Sequence, residues 1–109
     1  MTRITIYRDR TGSFTGFRCE GHSGYAAAGS DIVCAGISTL VINTVNAIEA
    51  LTQTAVAADA DQQEGLIFVR FPSGCDPQAK LLVDAMILGL EGIRTNYGKK
   101  FLAFDYKEV

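Results

Sequence analysis

One histidine, three cysteines and two prolines are all that 109 residues hold of those three types. With His22 as the single imidazole and no CxxC pair, no common zinc site can assemble, so neither a metal nor a cofactor is expected. The cysteines, Cys19, Cys34 and Cys75, are odd in number, which disfavours a disulfide framework. Basic blocks are missing too, and the net charge is -2. A nucleic-acid binder usually carries a basic surplus, so no direct nucleic-acid contact is expected. No apolar run approaches the roughly 18 residues of a membrane span, so no membrane segment is expected. The N-terminus, Met1-Thr2-Arg3-Ile4-Thr5-Ile6-Tyr7, alternates where a signal peptide would be continuously apolar. These two absences point to a cytoplasmic protein. There is no acidic tail; Asp59, Asp61 and Glu64 form only a loose acidic group, as in a solvated loop. Phosphate-binding loops, internal repeats and linkers are absent as well.

What is present suits one compact domain over residues 1–109, with an apolar fraction of 48% and a charged fraction of 20%. Arg3 to Asp9 alternates like a half-buried strand, and Asp9-Arg10-Thr11-Gly12-Ser13 is a turn signal. Phe14 to Cys19 follows as a second strand, so the first two strands are predicted to form a hairpin. Ser30 or Asp31 then caps a helix. Its apolar stripe is Val33, Ile37, Leu40, Val41, Thr44, Ile48 and Leu51, and the spacing carries it to about Ala57. Leu66 to Phe71 is rich in β-formers and reads as a central strand, stopped by Pro72-Ser73-Gly74. Asp76-Pro77 starts a second helix and Gly98 ends it. One stripe on it is Leu82, Met86, Leu90 and Ile93; a second is Leu81, Ala85 and Leu88, wide enough for part of it to meet another subunit. Phe101 to Tyr106 closes the chain as a strand. The order strand-strand-helix-strand-helix-strand predicts an α/β two-layer sandwich, a small mixed β-sheet with two main helices.

The chemistry concentrates in Cys19 to Ser38, "CEGHSGYAAAGSDIVCAGIS". A cysteine attacks as its thiolate, and a free thiol has little thiolate at neutral pH. Cys34 lies in the first turn of the predicted helix, where partial positive charge and unpaired N–H groups favour an anion. His22, at the end of the second strand, can take the thiol proton and later donate it to a leaving amine. Ser38 follows Cys34 by one helical turn. Its hydroxyl either supports the thiolate or a substrate carbonyl, or bonds the carbonyl at i−4. Asp31 either caps the helix or orients His22, and in the second role its negative charge opposes thiolate formation. Gly21, Gly24 and Gly29 either make turns or give pliancy to a substrate-binding lid. Tyr25 packs on substrate or on the core. Cys19 and Cys75 read as small buried hydrophobes.

The window "GHSGYAAAGSDIVCAGIS" resembles the ribosomal-processing cysteine protease family Prp, whose pattern is roughly G-H-x-G-Y-A-x-x-G-x-D-I-V-C-A-x-x-S. Gly21, His22, Gly24, Tyr25, Ala26, Gly29, Asp31, Ile32, Val33, Cys34, Ala35 and Ser38 stand at matching positions. Length, element order and the "NYGKKF" segment also fit. The resemblance implies a cysteine endopeptidase that removes a short N-terminal extension from a large-subunit ribosomal protein, cutting after adjacent aromatic residues. It assigns Cys34 as nucleophile, His22 as general base and Gly21 as hinge of the loop over the site. Asp31 and Ser38 match positions next to the dyad, and a homodimer is implied. Stiffening Gly21→Ala is expected to slow turnover more than it lowers stability. The rival readings are a ribosome-associated peptide-binding module without catalysis, and a thiol redox sensor with Cys19 or Cys75 as resolving cysteine.

Overall fold

The computed structural model describes residues 1–27 and 31–109. Strand β1 (Thr2–Arg8) and strand β2 (Phe14–Glu20) form the expected antiparallel hairpin, in register from Arg3↔Glu20 to Ile6↔Phe17. Asp9 shapes the turn, its Oδ1 accepting from Thr11 N at 2.8 Å and Ser13 N at 3.1 Å. Helix α1 (Ile32–Leu51) follows, then strands β3 (Ala57–Asp61) and β4 (Leu66–Arg70), helix α2 (Pro77–Tyr97) and strand β5 (Leu102–Glu108). The strands lie in the order β3-β4-β2-β1-β5. Only β5 runs parallel to its neighbour β1, so the sheet is mixed.

The core is one cluster drawn from the sheet and both helices. Alternate strand residues supply one wall: Ile4, Ile6, Phe17, Cys19, Val69 and Leu102. Val33, Ile37, Val41 and Ile48 of α1, and Val83, Met86 and Leu90 of α2, supply the other. The 3.6-residue spacing of these side chains puts them on one side of each helix, and their burial anchors both helices to the sheet.

Two segments differ from the expectation. Helix α1 stops at Leu51 rather than near Ala57, and Leu51 is 71% exposed instead of closing the core stripe. Thr52 ends the helix: its N–H and its Oγ1 both donate to the Ile48 carbonyl, at 3.2 and 2.8 Å. Beyond it, Ala57–Asp61 forms an extra edge strand paired with β4 from Ala57↔Arg70 to Asp61↔Leu66. Asp59 and Asp61 therefore sit on a strand, and the order becomes strand-strand-helix-strand-strand-helix-strand. The sequence Ala57-Ala58-Asp59-Ala60-Asp61 holds no β-branched or aromatic residue. Pairing with β4 overrides its weak intrinsic preference.

The membrane expectation also needs amending. Helix α1, with a mean hydropathy of 1.5, is long and apolar enough by length and composition to cross a membrane. In the fold its apolar stripe is the core helix's packing face against the sheet.

Candidate active site

The site forms where β2 ends and α1 begins. After Glu20 the chain turns at Gly21, which has φ +87°. A Cβ there would stand 2.6 Å from the Met1 carbonyl oxygen, so glycine is required by both conformation and space. Gly21→Ala would therefore strain the folded state itself. His22 comes next and is exposed; Ser23 after it is only 2% exposed.

Asp31 is the N-cap of α1, which resolves its local role. Its Oδ1 accepts from Cys34 N at 2.9 Å and its backbone carbonyl from Ala35 N at 3.0 Å. Cys34 is thus the third residue of the helix, in the first turn. Asp31 Oδ2 reaches the other way, accepting from Ser23 Oγ at 2.5 Å and from Tyr25 N at 3.1 Å. Burial alone would raise the Asp31 pKa, but the bonds from Ser23, Cys34, Ala26 and Tyr25 outweigh it and hold it below the usual carboxylate value. The carboxylate therefore stays charged at neutral pH while capping α1.

His22 and Cys34 line one cavity of about 460 Å³. Its walls include Ile37, Ile42 and Val45 of α1, and Ala58, Ala60, Leu66 and Ile67 of the β3–β4 hairpin. A second hollow of about 380 Å³ is lined by Gly24, Ala26, Asp31 and Ala35. The two share His22, Cys34 and Ser38. An extended chain crossing from one to the other would pass over the imidazole and the thiol.

Ser38 lines both hollows on the Cys34 face of the helix. Bonds to the i−4 carbonyl are made by Thr44 within this helix and by Thr52 at its cap, at 2.7 and 2.8 Å, and not, among the described residues, by Ser38. Its hydroxyl is therefore available to the site. Tyr25 lines neither hollow. Its ring packs edge-on against Tyr97 and Phe101, with centroids 5.6 and 5.2 Å away, tying the loop to the end of α2. Gly24 lines the second hollow with φ +75°. Gly29 lies outside the described residues.

Cys19 is 5% exposed on the wall of the larger cavity. Burial, with a smaller contribution from nearby Cys34, pushes its pKa up to about 12, so it remains a neutral thiol. Cys75 is half-buried rather than buried, and burial raises its pKa as well.

Several site residues escape sequence reasoning. Gly65, in the β3–β4 turn with φ +60°, lies against the imidazole: a Cβ there would be 3.1 Å from His22 Cε1 and 2.7 Å from the Gly21 carbonyl oxygen. Thr2, beside Gly21, is 2% exposed and lines the larger cavity, and its hydroxyl has no hydrogen-bond partner among the described residues. Ser23 sits within the motif, yet only its bond to Asp31 reveals its use. The Glu64-Gly65 step ahead of a β-rich run was the one signal for a turn, and nothing in it pointed at His22.

Residues 1–101 match the family described as Cysteine protease Prp. The ribosomal processing cysteine protease Prp of Bacillus subtilis is 34% identical over 101 residues, covering 89% of this chain and 90% of that one. The Staphylococcus aureus protein of the same name is 29% identical over 107 residues, 98% of this chain and all of that one. Among solved structures, S. aureus Prp with a covalently linked product peptide superimposes with a TM-score of 0.91, and the same enzyme with a substrate peptide with 0.86. Both are 29% identical and cover 98% of this chain. With the family matched across nearly its whole length, this chain is a cysteine protease of the Prp family.

Proposed function

We propose that this protease removes the N-terminal extension of a large-subunit ribosomal protein in the cytoplasm, with Cys34 as nucleophile and His22 as general base. The observation that carries the reading is the shared position of His22 and Cys34 at the junction of two hollows, in a fold matched by enzymes solved with bound peptides. His22 removes the Cys34 proton, and the thiolate attacks the scissile carbonyl to give a tetrahedral adduct. The amine leaves with the proton from His22, forming a thioester. Water, deprotonated by His22, then releases the new C-terminus and restores the thiol.

Charge on the adduct oxygen needs N–H donors. Cys34 N and Ala35 N are engaged by Asp31, so the helix-end amides outside the cap are those of Ile32 and Val33. Ser38 Oγ is the side-chain donor on the same face. The apolar walls of the larger cavity suit the aromatic side chains expected before the cut. On α2, Leu81 and Leu88 are 69% and 72% exposed one above the other, a face suited to a second copy of the chain.

The test is incubation with a peptide copying the host ribosomal protein's N-terminal extension, read by mass spectrometry, beside Cys34→Ala. A single cut after the aromatic pair, absent in the variant, is expected. Turnover by Cys34→Ala would end the nucleophile assignment.

A further inference from the structure

A Cys–His pair works only while the imidazole is held against the thiol. Among the described residues no hydrogen bond holds the His22 ring, and the side chain is exposed. What fixes His22 must therefore act on its backbone and on the space around it. Gly65 limits the space on one side. On the chain itself, the next residue is Ser23, buried at 2% exposure.

Ser23 does not line either hollow, so a bound peptide does not explain its hydroxyl. The hydroxyl spends its proton on Asp31 Oδ2 at 2.5 Å, while Asp31 Oδ1 takes the Cys34 amide at 2.9 Å. One carboxylate thus joins the neighbour of His22 to the backbone of Cys34. Helix capping uses only Oδ1; the Oδ2 bonds to Ser23 and to Tyr25 N at 3.1 Å are additional to the cap. A charge-assisted bond of this kind is among the stronger single tethers a buried hydroxyl can make.

We propose that Ser23 is a positioning residue for the dyad: through its bond to Asp31 it latches the His22 segment to the first turn of α1 and keeps the imidazole over Cys34. The inference rests on the dyad reading given above. Loss of the latch reduces the fraction of molecules with an assembled dyad and leaves the peptide hollows as they are. The effect therefore falls on kcat and spares KM.

The experiment measures kcat and KM on the extension peptide for the wild type, Ser23→Ala, Ser23→Thr, Asp31→Asn, the Ser23→Ala/Asp31→Asn double variant and Cys34→Ala. Ser23→Ala is expected to lower kcat about tenfold with KM changed less than about twofold. Ser23→Thr, which keeps the hydroxyl, should recover most of the loss. In the double variant Ser23→Ala should add little to Asp31→Asn, because an amide NH2 facing Ser23 and Tyr25 N cannot accept the proton the hydroxyl donates and so already removes the charge-assisted bond. If Ser23→Ala does not fold, judged by circular dichroism, Ser23→Cys keeps the volume with a weak donor and takes its place. Wild-type kcat in the variant without the hydroxyl, or additive losses in the double variant, would overturn the latch while an inactive Cys34→Ala leaves the dyad standing. Activity in Cys34→Ala would remove the dyad, and the latch with it.

Discussion

At Gly65 a single missing carbon makes room for His22. Any side chain there meets the imidazole and the Gly21 carbonyl, and the φ of +60° adds a conformational cost for most residues. Gly65→Asn separates the two effects, since asparagine tolerates left-handed backbone yet still carries a Cβ. Both Gly65→Ala and Gly65→Asn are expected to lower kcat by roughly tenfold or more, with the asparagine variant losing less thermal stability. Steady-state kinetics beside a melting curve tests this. Cys19 and Cys34 make a second contrast. With its pKa pushed up to about 12 by burial and the nearby Cys34, Cys19 should resist iodoacetamide in the folded enzyme at pH 8, while Cys34 is alkylated. Peptide mapping by mass spectrometry should find Cys19 modified only after urea unfolding. The raised pKa means that the stabilising effect of its neutral form is full below pH 9.0 and is lost as the pH climbs toward 12.

Among the elements, the two helices are tied end to end by one carboxylate. Asp76 caps α2 through Ala79 N at 2.7 Å and also accepts from Gln53 N, just past the end of α1, at 3.1 Å. Its pKa is lowered chiefly by the Ala79 amide, so its contribution to stability is present above the ordinary carboxylate pKa and is lost as pH falls through the depressed one. Asp76→Asn should therefore weaken the fold at pH 7 and shrink the difference from wild type at pH 3. Urea unfolding at both pH values reads the two quantities. For α1 the sequence left Ser30 and Asp31 as alternatives, whereas the Asp76 cap was legible in the sequence because its partner lies three residues away. The His22–Cys34 stretch was legible for the same reason, being one local segment. Strand β3 was not, because its alanine-rich sequence carries no strand signal and its reason for existing is β4. The cavity walls from that hairpin, and Thr2 beside Gly21, depend on strand order, which no local pattern encodes. Ser23 was visible as a letter but not as a latch, since its partner is eight residues on and its burial comes from the fold.

For the whole molecule, the exposed leucines of α2 stand on the surface without a partner among the described residues. If they pack against a second copy, Leu81→Glu or Leu88→Glu should convert a two-chain species into a one-chain species by light scattering at micromolar concentration. A wild type that already scatters as one chain would remove the dimer from the proposal. Unchanged peptide cleavage in a monomeric variant would place the dimer outside the chemistry.

The parallel pairing of β5 with β1 has a consequence for how the enzyme comes into being. Thr2↔Leu102 through Arg8↔Glu108 join a strand from early in the chain to one from late in it. The chain leaves the synthetic machinery N-terminus first, so β1 can find β2 early but has an empty flank until residues 102–108 emerge. Met1 and Thr2, which pack beside Gly21, are held by that late segment, Thr2 N donating to the Phe101 carbonyl at 3.0 Å. A nascent copy therefore carries its histidine and cysteine before β5 has fixed the segment beside Gly21.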